Sequence, residues 1–136
     1  LPQGKLIVSE DFGKNKEIQS YRSRGYVLPI KDLKIAILVD GGSASASEIV
    51  TGALQENGVA RVFGTQTYGK GSVQELIPLT KDTSIKITVA KWLTPKGNSI
   101  SKKGIAPDVE IKSTKEDIEK KYDRVLEEAA LYLLGK

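Results

Sequence analysis

The chain has no cysteine, no histidine and no methionine in its 136 residues. The missing cysteine excludes disulfides and zinc–thiolate sites, but leaves the compartment open, because cysteine-free proteins occur in oxidising and reducing spaces alike. The missing histidine has a chemical consequence. A nucleophilic serine must hand its proton to a base, and with imidazole absent the candidate base is a neutral lysine. Aromatic residues are only 6% of the chain, and its 21 Lys+Arg against 17 Asp+Glu, a net +4, are scattered rather than clustered. Neither feature supports nucleic-acid binding. Lys102-Lys103 and Lys120-Lys121 alternate with acids and read as solvated faces. No run approaches the roughly eighteen apolar residues that span a bilayer, and no signal-peptide pattern opens the chain, so a soluble protein is expected. The opening at Leu1 and the lack of any methionine suggest a piece of something longer, processed or excised.

The fold expected is α/β, a single compact domain over 1–136. Residues 1–34 read as an irregular lead-in, with a short apolar run at 5–9 and loop over 11–25. Ile35-Ala36-Ile37-Leu38-Val39 is continuously apolar and β-branched, as in a strand buried on both faces. It stops at Asp40-Gly41-Gly42, a sharp reversal. Ile49, Val50, Ala53 and Leu54 then recur at helical spacing, and Gly58 marks a stop, which predicts about three turns of helix after Ser45. Ala60 to Phe63 is a second strand, and a strand–helix–strand unit implies parallel pairing. Ser72 to Leu79 and Ser84 to Leu93, on either side of Thr80-Lys81-Asp82-Thr83, predict an antiparallel hairpin. Thr94 to Asn98 is a turn and Gly104 to Asp108 an ordered loop, which closes a core over 35–111. One helix is expected over 113–134. It opens on Ser113-Thr114-Lys115-Glu116 and carries Ile118, Tyr122, Val125, Ala129 and Leu133 on one face. Mixed charges on its polar side point to packing on protein rather than membrane.

In such units reactive groups gather at the carboxyl ends of the strands, where Gly42-Ser43-Ala44-Ser45-Ala46-Ser47-Glu48 lies. Ser45-Ala46-Ser47-Glu48 has the form of a capping box, which needs no chemistry to explain it. A helix amino terminus is also a place of positive potential with unpaired amides, where an alkoxide or oxyanion is stabilised. The Ala46 amide is a candidate oxyanion donor, and the alanines around Ser45 leave the approach open to a carbonyl. Spacing alone keeps Ser43 and Ser47 as alternatives. Twenty-five residues after Ser45 comes Lys70, in Gly69-Lys70-Gly71-Ser72-Val73-Gln74. To act as a base it must be neutral near pH 7, far below the free lysine value of about 10.4, which burial among apolar groups can achieve. Glycines on both sides let the backbone pass close to another segment and carry the amine toward the serine. Gln74, four residues along a strand, shares the lysine's face and could orient it without adding a carboxylate. Gly64 to Lys70 also matches the first seven positions of a phosphate loop, Gly-x-x-x-x-Gly-Lys. Gly71 stands where the magnesium-binding Ser or Thr is needed, and strand rather than helix follows, so nucleotide binding is not expected.

Gly42 to Ile49, Gly52-Ala53-Leu54-Gln55, Gly64-x-x-Thr67-Tyr68-Gly69-Lys70-Gly71-Ser72-Val73-Gln74, Thr94-Pro95-x-Gly97-x-x-Ile100 and Gly104-Ile105-x-Pro107-Asp108 together resemble the carboxyl-terminal processing, or tail-specific, serine proteases. The likeness runs in order over 35–109. It implies a Ser45–Lys70 dyad supported by Gln74, an oxyanion site at Ala46, a crotonase/ClpP-like core, no metal or organic cofactor, and endoproteolysis near the carboxyl termini of extended polypeptides with unstructured or apolar tails. Family members usually carry a PDZ domain and an Asp-Leu-Arg-x-Asn-Pro-Gly-Gly stretch upstream. Neither occurs in this sequence, so the resemblance implies the carboxyl-terminal part of the catalytic core, weakly active or inactive by itself. Asp40 and Val59 stand where the family often has Asn and Arg. An extracytoplasmic location, at the periplasm or cell envelope, follows from the same likeness. The rival class is a non-catalytic peptide-binding or assembly module, whose exposed sheet edges invite strand addition or a homo-oligomer.

Overall fold

A computed structural model describes residues 1–25 and 33–135. Leu6–Asp11 (β1) and Gln19–Arg22 (β2) form an antiparallel pair, followed by Ala36–Val39 (β3), Ala46–Glu56 (α1) and Arg61–Gly64 (β4). Then come Ser72–Pro78 (β5), Ser84–Leu93 (β6), Val109–Glu110 (β7), Lys115–Glu119 (α2) and Arg124–Leu134 (α3). The strands make two sheets, one of order β2-β1-β6-β5 and one of order β3-β4-β7. The first is antiparallel throughout and the second parallel throughout.

The strand–helix–strand unit is present, with Ala36 opposite Arg61 and Val39 opposite Gly64. α1 packs against β1 of one sheet and β4 of the other. Its inner face, Glu48, Thr51, Gly52 and Ala53, is buried for that reason. Gly52 has to be small: a Cβ there would sit 3.2 Å from Ile105 and 3.3 Å from Thr94. α3 covers the parallel sheet. Phe63, Ile111 and Ala129 form the buried centre, with Ala36, Val109, Val125 and Tyr132 around it, and the Phe63 and Tyr132 rings meet at 5.4 Å.

Four expectations are corrected. The lead-in expected to be irregular over 1–34 holds β1 inside a four-stranded sheet, and the loop expected over 11–25 contains β2, whose four residues are all exposed, so no alternation betrays it in the sequence. The lead-in residues at 26–32 lie outside the described residues. β3 is not buried on both faces: Leu38 is 41% exposed and lines a depression of about 400 Å³ with Ile118, Tyr122 and Val125. The single carboxyl-terminal helix is two. The chain turns at Lys121, whose φ is 53°, and the Arg124 guanidinium folds back onto the Asp117 carboxylate at 2.8 and 2.9 Å. Ile118 and Tyr122 therefore leave the expected apolar stripe and are exposed. Val125, Ala129 and Tyr132 make the contact with the core instead.

Candidate active site

β3 ends by delivering the chain into a turn closed by Asp40. Its Oδ1 accepts hydrogen bonds from the Gly42 N–H at 2.9 Å, the Ser43 N–H at 3.1 Å and the Ser43 hydroxyl at 3.2 Å. An asparagine oxygen could accept the same three. Ser43 thus has its hydroxyl engaged within its own turn. Ser47 is exposed in the first turn of α1. Ser45 sits between them, half-buried, at the residue before the helix.

Its backbone is unusual, with φ 55° and ψ −115°. A non-glycine residue pays a steric penalty there, of order 1–3 kcal/mol, and holds such a conformation only when its surroundings impose it. A sharp strand-to-helix turn of this kind lifts a side chain out of the surface at the start of a helix. The first amide of α1, Ala46 N–H, has no acceptor among the described residues, as expected for the free amino end of a helix.

What imposes the turn is Glu48, a residue whose role sequence reasoning saw only as a cap. It is 0% exposed. Oε2 accepts the Ser45 N–H and the Lys70 N–H, each at 2.9 Å. Oε1 accepts the Thr67 hydroxyl and the Gly69 N–H, each at 2.6 Å. Thr67 Oγ1 in turn accepts the Ile105 N–H at 2.7 Å. A buried carboxylate is tolerable only when its lone pairs are met in this way. Because one oxygen takes both the Ser45 and the Lys70 amides, the two backbones stand no more than two hydrogen bonds apart. A further bond, Tyr68 N–H to the Ser43 carbonyl at 2.9 Å, laces the same two segments.

The same geometry accounts for the phosphate-loop likeness. The amides of Gly69 and Lys70 do form an anion cradle, but the anion it holds is the protein's own Glu48 carboxylate. β5 follows it, where a phosphate site would need a helix. The close approach allowed by Gly69 and Gly71 is also real, although its target differs from the expectation. A Cβ on Gly69 would meet the backbone of Lys102 to Gly104 at 3.0–3.1 Å, and one on Gly71 would overlap the backbone of Ile100 and Ser101. These glycines press against the 100–104 loop rather than against the serine.

Lys70 lines an open depression of about 570 Å³ with Gly41, Gly42, Ala44 and Tyr68. Its side chain is exposed, as is that of Gln74 on β5. Among the described residues no hydrogen bond joins Ser45 Oγ, Lys70 Nζ and Gln74 to one another. The fold therefore brings the serine and lysine segments together through the backbone and leaves Gln74 along the neighbouring strand.

The family model for peptidase family S41 matches residues 1–111. A protein of Staphylococcus epidermidis named Probable CtpA-like serine protease is 44% identical over 115 residues, 85% of this chain and 23% of that protein. The carboxy-terminal-processing protease of Bartonella bacilliformis is 47% identical over 104 residues, 75% of this chain and 24% of its own length. This chain thus spans about a quarter of the curated relatives it matches. Among solved structures, the photosystem II D1 C-terminal processing protease overlays with a TM-score of 0.72 at 31% identity, over 82% of this chain and 28% of that one. Among the described residues no helix is long and apolar enough to cross a membrane.

Proposed function

This chain belongs to peptidase family S41, and from that premise we propose that it supplies the dyad-bearing part of a serine endopeptidase that cuts extended polypeptides near their carboxyl termini. Ser45 attacks the scissile carbonyl, Lys70 takes its proton, the Ala46 N–H holds the oxyanion, and Gln74 orients the lysine. Collapse of the oxyanion breaks the C–N bond, and Lys70 passes the proton to the leaving amine. Water, giving a proton to Lys70, then attacks the acyl group and releases it as a carboxylic acid, and Ser45 recovers its proton from Lys70. No metal or cofactor takes part. The observation that carries this reading is the Glu48 carboxylate, which fixes the strained Ser45 turn and the Lys70 backbone on a single oxygen. A cap alone would require only the first of those bonds.

Lys70 is exposed in this chain, whereas a lysine base works when apolar cover disfavours its charge. We infer that the cover, a second oxyanion amide and a PDZ domain come from a preceding part of the same protein, in a crotonase-like core. The chain by itself is then inactive or weakly active. An extracytoplasmic location, at the periplasm or cell envelope, belongs to the same proposal, and the substrates are polypeptides with unstructured or apolar tails.

The test is mass-spectrometric cleavage of a loosely folded protein with an apolar tail. This chain and a form extended upstream are each compared with their Ser45→Ala and Lys70→Ala variants. Cleavage by the extended wild type, lost in both variants, is the expected result. Cleavage that survives Lys70→Ala removes the dyad, and peptide binding without turnover becomes the better account.

A further inference from the structure

In the arm formed by β5 and β6 every residue from Gln74 to Thr88 is open to solvent. β5 ends the order β2-β1-β6-β5, so among the described residues one of its two edges has no neighbour. The register states which backbone groups line that edge. Gly71 O accepts the Trp92 N–H at 2.7 Å, and the Leu79 N–H donates to Thr83 O at 2.9 Å. In an antiparallel ladder alternate residues direct both N–H and C=O to the same side. Gly71, Val73, Glu75, Ile77 and Leu79 therefore bond to β6, and Ser72, Gln74 and Leu76 direct theirs outward. Pro78, next in the outward set, has no N–H to offer and ends the donor row.

Cross-strand partners share a face. Ile77 opposite Ile85 and Glu75 opposite Ile87 give the arm one largely apolar face, on which the three isoleucines are 37%, 44% and 40% exposed. The other face carries Gln74 opposite Thr88 and Leu76 opposite Lys86.

We propose that the outward edge of β5, at Ser72, Gln74 and Leu76, is where an extended polypeptide adds as a strand on its way to Ser45. This rests on the protease reading above. Continuity with the site identifies the occupant: β5 begins two residues after Lys70, whose backbone is held against the Ser45 turn. Strand addition takes its hydrogen bonds from the main chain and its preference from alternate side chains. Side chains of the added strand that fall beside Glu75 and Ile77 lie on the isoleucine face. The favoured polypeptide thus carries apolar residues at every second position.

The experiment uses the ¹⁵N-labelled Ser45→Ala chain and a capped ten-residue peptide of alternating valine and serine, with amide hydrogen exchange as the readout. Amides of Ser72, Gln74 and Leu76 should slow at least about ten-fold when peptide is added, while Val73, Glu75 and Ile77, already bonded to β6, stay as they were. Leu76→Pro deletes one outward donor and no bond to β6, and should weaken peptide binding about ten-fold. Unchanged protection at Val73, Glu75 and Ile77 in that variant reports an intact hairpin. Saturating peptide without slowed exchange at the three outward amides overturns the proposal. Protection that appears without peptide and rises with protein concentration also overturns it, and assigns the edge to a second copy of the chain. If the edge binds peptide while the extended wild type cleaves nothing, strand addition stands and the protease reading fails.

Discussion

Replacing Glu48 by glutamine removes one negative charge and turns one acceptor oxygen into a donor, with almost no change in shape. Four donors point at that carboxylate: Ser45 N–H, Lys70 N–H, Gly69 N–H and the Thr67 hydroxyl. Of the two ways to place the new NH₂, the less damaging sets it beside Thr67, whose hydroxyl oxygen can accept. The Gly69 N–H is then left facing another donor. A buried amide without an acceptor costs about 1–3 kcal/mol, and the three remaining bonds lose the strengthening that a charged acceptor gives. The expected loss is about 2–4 kcal/mol. For a domain of this size each kcal/mol moves the midpoint by about 3 °C, so Glu48→Gln should melt roughly 6–12 °C below wild type.

Glu48→Ala leaves all four donors unmet beside a cavity, and should fall further. Calorimetric melting of the chain measures stability, and peptide cleavage by the upstream-extended form measures the site. The glutamine variant should cleave more slowly even well below its own melting temperature, because Ser45 and Lys70 then share a neutral amide oxygen in place of a charged one and Gly69, next to Lys70, has lost its acceptor. If Glu48→Gln melts within about 2 °C of wild type and cleaves as fast, the carboxylate is a helix cap only, and its place in the site fails.

Ser43→Ala should leave proteolysis by the extended form within a few-fold of wild type, because that hydroxyl bonds to Asp40 in its own turn, whereas Ser45→Ala abolishes it; equal loss in both would move the nucleophile. Gly71→Ala forces a Cβ into the backbone of Ile100 and Ser101, and a loss of about 1–3 kcal/mol in urea unfolding is expected. The Arg124 guanidinium, helped by the Thr114 N–H, holds the Asp117 carboxyl well below the usual carboxylate range. That stabilisation is complete above the unfolded value of about 3.9 and fades as pH falls below it. Asp117→Asn should therefore melt lower than wild type at neutral pH, with the gap closing on acidification from about pH 5 to pH 2. A gap that is constant across that range contradicts the pairing.

The parts of the fold that show in the sequence are those whose local pattern and long-range packing agree. Ile35 to Val39, a β-branched run, and the short Ala60 to Phe63 lie on either side of a helical repeat, and they pair in parallel as the connection requires. The hairpin of β5 and β6 shows through its alternation and its polar turn. β2 does not, because Gln19 to Arg22 pairs with β1 while all four of its residues stay exposed, so it buries no alternating face. The break between α2 and α3 is also hidden. Tyr122 continues the helical spacing, whereas in the structure the Asp117–Arg124 pair, the left-handed Lys121 and the Asp123 cap on the Leu126 N–H mark the turn. Of the site, Ser45 and Lys70 carry recognisable neighbourhoods. Glu48 reads as an N3 capping residue because three of its four partners lie at Thr67 to Lys70, beyond the reach of any local pattern.

The buried carboxylate also fixes when the site can exist. Its partners at Thr67, Gly69 and Lys70 arrive only after the chain has passed through α1 and β4 and returned. A charge cannot enter the interior before they are in place. A growing or partly opened chain then holds Ser45 in a relaxed, water-exposed segment with no lysine beside it. The Ser45 turn and the Lys70 segment therefore form together, through contacts 19 to 22 residues apart in sequence that require the chain to close on itself. The strained turn is thus a product of tertiary folding, and its presence reports that α1 and the 67–70 segment have docked.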